Sequence, residues 1–145
     1  MMTRRSTRLF VWMAIALNFV TLMHSLEDER YGVFAHFHVS TLTGAGVVAL
    51  ASTLLLVGTW SAASGNRWGR VLCVALGLLW ALGALADHGH DILFTWPYRA
   101  GTISKALEIA IILLGLAIAA FGATPTLLRR RSAPNRFRLP IRVGK

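Results

Sequence analysis

The sequence contains little charge and almost no cysteine. Only 14% of its 145 residues are charged, whereas 55% are hydrophobic, and this is too little charge to cover the surface of a soluble domain. The single cysteine, Cys73, excludes an internal disulfide and the exchange chemistry of paired cysteines. Because Cys73 lies inside an apolar run, we expect it to pack as a small hydrophobic side chain.

Acidic residues are also scarce, with 6 Asp and Glu against 15 Lys and Arg. The resulting net charge of +9 does not indicate nucleic-acid binding, because the basic residues flank apolar runs instead of alternating with exposed aromatic residues. Anionic lipid is the more economical partner for this charge.

Four long apolar runs occupy most of the chain. Runs of roughly 20 apolar residues can cross about 30 Å of hydrocarbon as helices, and the absence of a two-residue alternation excludes membrane-spanning strands. The sequence therefore predicts an all-α integral membrane protein, a bundle of four transmembrane helices without a soluble domain. The predicted segments are a basic N-terminus at 1–8, a helical domain at 9–124 with helices at about 9–26, 39–60, 68–86 and 102–123, and a basic tail at 125–145.

The first run resembles the apolar core of a secretory signal. However, Leu22–Leu26 at its end contains no pair of small residues of the kind that marks a cleavage site. We therefore expect the first helix to be retained as a membrane anchor.

Charge is distributed unequally between the segments that join the runs. Twelve of the 15 basic residues precede the first run, separate the second from the third, or follow the fourth. Because basic loops stay in the cytoplasm, we expect both termini to be cytoplasmic in a multi-pass protein of the cell (inner) membrane. Pro134 and Pro140 disfavour a helix in the tail, and we expect this flexible arm to lie on anionic lipid.

All five histidines and all six acidic residues fall on the opposite, outer side. Two His-x-His pairs, at positions 36–38 and 88–90, lie next to predicted helix ends. Imidazole is the commonest protein ligand for metals, and carboxylates complete many such sites. The sequence thus predicts an outer site for Zn²⁺, Cu²⁺ or Fe²⁺. The candidate ligands are His24, His36, His38, His88, His90, Asp87 and Asp91.

Glu108 lies about two turns inside the fourth run, where an ionised side chain is costly and is usually functional or paired. We expect Glu108 to hydrogen-bond to the metal ligands without binding the ion itself, or to relay protons. Alternatively, it only pairs with Lys105, three residues earlier. A single haem b between His24 and His88 is the alternative cofactor. No histidine lies on the inner side, which excludes a two-haem carrier.

The sequence does not identify a reaction, and it favours a protein that is not an enzyme. The leading hypothesis is a small membrane protein with an outward-facing metal or haem site. A cofactor-free accessory or assembly subunit of a larger membrane complex is the second hypothesis, and an oligomeric transporter component is the third. Other membrane subunits or further copies of the chain are the expected protein partners.

Overall fold

The protein is a bundle of long helices in a computed structural model, which describes residues 4–36, 38–95 and 101–131 without the side chains of His36 and of residues 124–131. No strand occurs among these residues. The helices are α1 (Arg4–Arg30), α2 (Val33–His36), α3 (Thr41–Ala63), α4 (Arg67–Phe94) and α5 (Gly101–Arg131).

Four of these helices are long and apolar enough to cross a membrane: α1, α3, α4 and the Gly101–Ala123 part of α5. The predicted four-helix architecture is therefore confirmed as a set of four candidate spans. Each predicted span overlaps one of them, with ends that differ by up to eight residues. The Ser40 side chain begins α3 by accepting a hydrogen bond from the Thr43 N–H, and Asn66 begins α4 in the same way with Trp68.

Two helices extend furthest beyond their predicted ends. Helix α4 continues past Ala86 to Phe94, because the polar segment keeps a helical pattern in which His88 and Gly89 are buried and His90 is exposed. Helix α5 continues through Pro125 to Arg131, so the predicted start of the tail at residue 125 falls inside this helix. Residues 132–145 of the predicted lipid-binding tail lie outside the described residues.

The long helices form a ring in the order α1, α3, α4, α5, in which each helix packs against the next and α5 packs against α1. Helices α1 and α4 stand at diagonally opposite corners and touch only slightly. The bundle interior is apolar over most of its length and includes Cys73, which is fully buried as predicted. The core side chains are Phe10, Ala14, Leu17, Leu55, Ala62, Cys73, Leu76, Ile111 and Ile118.

The two ends of the bundle carry opposite charge. The acidic end is formed by the last residues of α1 and α4 and the first residues of α3 and α5, and it holds all six Asp and Glu. The basic end is formed by the first residues of α1 and α4 and the last residues of α3 and α5. Its described arginine side chains are Arg4, Arg5, Arg8, Arg67 and Arg70. The exposed surface between the ends is rich in large apolar side chains, including Trp12, Leu42 and Leu113.

Helices α4 and α5 pack closely where Gly77 faces Gly115. A Cβ atom at Gly115 would lie 2.8 Å from the Ala81 Cβ and would also collide with the Gly77 carbonyl oxygen. Since one of these obstacles is backbone, the helices would have to separate to admit even a methyl group.

Gly115→Ala is expected to lower the free energy of unfolding by about 1–3 kcal/mol through overpacking. Gly46→Ala is the matched control, because Gly46 is also helical and a Cβ there meets nothing within 4 Å. Thermal unfolding in detergent compares the two variants. An equal effect of both changes would contradict the close α4–α5 contact.

Candidate metal centre

Three helices each bring one ligating side chain to a common point near the acidic end. The side chains are His24 of α1, His88 of α4 and Glu108 of α5, and all three are buried. Their ligand atoms lie within 4.8 Å of one another. We call these three residues the His/Glu group.

Helix geometry explains why the three side chains meet at one depth. His24 lies six residues before the end of α1, His88 six residues before the end of α4, and Glu108 seven residues after the start of α5. At 1.5 Å per residue, each side chain is attached about 9–11 Å inside its helix end. The His/Glu group thus lies inside the bundle, about two helical turns from the helix ends that form the acidic end.

His24 and His88 face each other across the diagonal of the ring. Their Nε2 atoms are 3.4 Å apart, and their ring planes stand at 80° with centroids 5.2 Å apart. This separation is longer than a well-formed hydrogen bond of roughly 2.7–3.2 Å. It equals the spacing of about 3.3–3.4 Å between two nitrogens that bind one tetrahedral ion at about 2.0–2.1 Å each.

The same separation is too short for a haem between the two histidines. Axial nitrogens on opposite faces of a haem iron, each at about 2.0 Å, are about 4 Å apart. The flat macrocycle would also have to enter the 3.4 Å space between the two Nε2 atoms. The observed geometry therefore suits a single ion better than a haem.

His88 is the central member of the group because its two ring nitrogens face different partners. Nδ1 lies 3.4 Å from the Glu108 Oε1, while Nε2 lies 3.1 Å from the Asp87 Oδ2 and faces His24. Glu108 is fully buried and contacts His88 directly. Its carboxylate therefore lies close enough to the two imidazoles either to bind an ion with them or to orient His88 through Nδ1.

More carboxylates surround the group. The His24 Nε2 lies 3.4 Å from the Asp28 Oδ2, and its Nδ1 lies 3.9 Å from the Glu27 Oε2. Glu27, Asp28, Asp87 and Asp91 are all close enough to act electrostatically on Glu108. Converging negative charge of this kind is costly in a poorly solvated interior, and a bound cation reduces the cost.

The remaining sequence-predicted ligands are placed differently. His90 is exposed, and its Nδ1 lies 3.5 Å from Asp91, which also accepts a hydrogen bond from the Thr95 hydroxyl. His38 is exposed, with a left-handed φ of 57°, and His36 has no described side chain. Since consecutive helical residues are turned by about 100°, His88 and His90 point to nearly opposite sides of α4. Only one member of that pair enters the bundle.

Glu27 and Asp28 are not among the sequence-predicted ligands, although a signal for them exists. They follow His24 by three and four residues, which places them on its face of a helix. That signal requires α1 to continue to Arg30, whereas the apolar run that predicts the helix ends at Leu26.

A groove of about 300 Å³ connects the group to the side of the bundle. Its wall includes exposed side chains of both α3 and α4, such as Val47 and Leu79. His24 and His88 themselves form part of its lining, so a small ligand can reach both imidazoles. The full lining is His24, Ser25, Asp28, Val47, Ala51, Leu79, Trp80, Gly83, Ala84, Asp87, His88 and Ile111.

Comparison of the chain with protein-family models, with curated proteins and with solved structures yields no match.

Proposed function

We propose that this protein is a multi-pass protein of the cell membrane that binds one divalent transition-metal ion on the non-cytoplasmic side. The ligands are His24, His88 and Glu108. The observation that carries the proposal is the convergence of these three buried side chains, from three different helices, within 4.8 Å.

The donor set favours particular metals. Two imidazoles and one carboxylate are ligands for zinc and for non-haem Fe²⁺, and both ions commonly keep further coordination positions open in such sites. Copper as Cu⁺ is disfavoured, because the only thiol is Cys73 in the core and Cu⁺ prefers sulfur ligands. Zinc is the first ion to test because it has no redox chemistry and takes mixed nitrogen and oxygen ligands.

A metal titration tests the proposal. Protein purified in mild detergent and stripped with a chelator should bind one equivalent of Zn²⁺ or Fe²⁺ in equilibrium dialysis, and its visible spectrum should show no Soret band. A Soret band in the protein as purified would favour a haem site instead. No saturable binding of any divalent transition metal would favour the accessory-subunit hypothesis.

The orientation of the protein in the membrane is the second part of the proposal. The arginines of the basic end should hold that end in the cytoplasm, because positively charged loops resist translocation. A reporter fused after Lys145 is then expected to be active only if it is of a type that functions in the cytoplasm. Activity of a periplasmic-type reporter at this position would reverse the bundle and place the His/Glu group on the cytoplasmic side.

Metal binding should weaken as the pH falls. A protonated imidazole cannot ligate, and the pKa of an ordinary histidine is about 6.5. The affinity for Zn²⁺ should therefore fall as protons compete with the ion for the two ring nitrogens. Below about pH 6 it should fall by up to a hundredfold per pH unit, because two imidazoles must each lose a proton. An affinity that is unchanged between pH 7.5 and 5.5 would exclude a site that depends on both histidines.

A further inference from the structure

A cavity at the basic end is unrelated to the His/Glu group. Its volume is about 360 Å³. Three helices form its wall, with Arg4 and Arg8 on α1, Ala62 and Ala63 at the end of α3, and Arg70 on α4. Thr7 and Gly65 complete the lining.

Three arginines thus line one cavity, and no carboxylate lies near them along their helices. The nearest acidic residue along α1 is Glu27, which lies 19 residues beyond Arg8 and therefore about 28 Å along the helix. Along α4 it is Asp87, which lies 17 residues beyond Arg70, or about 25 Å. Like charges that converge in this way repel one another, so the cavity is electrostatically suited to an anion.

The composition of the wall indicates which anion. Arginine binds phosphate oxygens in pairs through its planar fork of N–H donors, while Ala62 and Ala63 offer apolar contact beside the charges. Arg8 lies 16 residues before His24, about 24 Å along α1. Since the apolar middle of the bundle separates the two, the cavity lies at the depth of lipid headgroups when the bundle spans a bilayer.

We propose that Arg4, Arg8 and Arg70 form a binding site for the phosphate group of an anionic membrane phospholipid, whose glycerol and acyl chains continue along Ala62 and Ala63. Cavities that are lined by basic residues at the cytoplasmic ends of helices are suited to such headgroups. This site is independent of metal binding, because it lies at the opposite end of the bundle and shares no residue with the His/Glu group.

Thermal unfolding and native mass spectrometry of the full chain in mild detergent test the site, with phosphatidylglycerol as the probe and phosphatidylcholine as the zwitterionic reference. Wild type should retain phosphatidylglycerol in preference to phosphatidylcholine and should unfold at a higher temperature in its presence. The double variant Arg8→Gln/Arg70→Gln should lose about tenfold or more of the affinity for phosphatidylglycerol.

Arg5→Gln is the matched control, because Arg5 is an exposed arginine of the same helix that does not line the cavity. It removes one positive charge from the same end and should leave lipid binding nearly unchanged. An equal loss in Arg5→Gln and in Arg8→Gln would mean that net charge, and not the cavity, attracts the lipid.

A control with inorganic phosphate distinguishes a lipid headgroup from a free phosphate ion as the ligand. Phosphate at about 10 mM would nearly fill a site with a Kd of about 1 mM. If it stabilised wild type as much as phosphatidylglycerol does, the site would take a small anion and the lipid assignment would be wrong. If wild type retained phosphatidylcholine as well as phosphatidylglycerol, the proposal would be wrong. This comparison uses wild type alone, so the test does not depend on the folding of the double variant.

Discussion

Replacing His88 by alanine is expected to reduce the affinity for a divalent transition metal by more than about a hundredfold. His88 contacts both other members of the His/Glu group, through Nε2 to His24 and through Nδ1 to Glu108. Its loss should therefore remove one ligand, and His24 and Glu108 should no longer be held by a common contact residue. Equilibrium dialysis with Zn²⁺ measures the change directly.

His90→Ala is the control for this experiment. His90 lies two residues further along the same helix, and its side chain is 80% exposed. Its replacement should change the metal affinity less than about twofold. If His90→Ala and His88→Ala reduced binding equally, the ligands would come from the exposed surface of α4 and the buried group would not be the site.

Replacing Glu108 by glutamine is expected to have the second largest effect, a loss of about ten- to a hundredfold in metal affinity. Glutamine has nearly the same shape but lacks the negative charge that neutralises the ion. The metal-free variant should be at least as stable as metal-free wild type, because glutamine cannot ionise at this fully buried position near four other carboxylates.

A metal ligand should lower metal affinity without lowering the stability of the metal-free protein when it is replaced. A residue with only a structural role should lower that stability instead. Unfolding temperatures with and without Zn²⁺ provide both quantities. Lys105→Gln is the control, since Lys105 lies one turn from Glu108 but is not a member of the His/Glu group. Unchanged zinc affinity in Glu108→Gln would exclude Glu108 as a ligand and leave His24 and His88 as the ligating members of the His/Glu group.

The four long helices could be predicted from the sequence because hydrocarbon thickness and helical rise fix the length of an apolar span. The points at which α4 and α5 end could not. The segment from Asp87 to Phe94 is polar enough to suggest a loop, yet it continues α4 because His88 and Gly89 face the interior. Hydropathy averages over both faces of a helix, whereas packing acts on each face separately.

The common side of the histidines and carboxylates was also predictable, because it follows from their order between apolar runs. Which of these side chains contact one another could not be predicted. That depends on the rotation of each helix about its axis, which places His88 inside and His90 outside, and on the diagonal pairing of α1 with α4. Neither the rotation of a helix nor its pairing with another helix can be obtained from the spacing of residues within one segment.

The X-ray absorption spectrum of the zinc-loaded protein tests the central claim most directly, because it reports the atoms that surround the ion. We predict two imidazole nitrogens at about 2.0–2.1 Å together with carboxylate or water oxygen at about 2.0–2.2 Å. The multiple-scattering signal of imidazole should disappear in the His24→Ala/His88→Ala variant. A shell of oxygens alone in wild type, or a sulfur ligand at about 2.3 Å, would contradict a metal site formed by His24, His88 and Glu108.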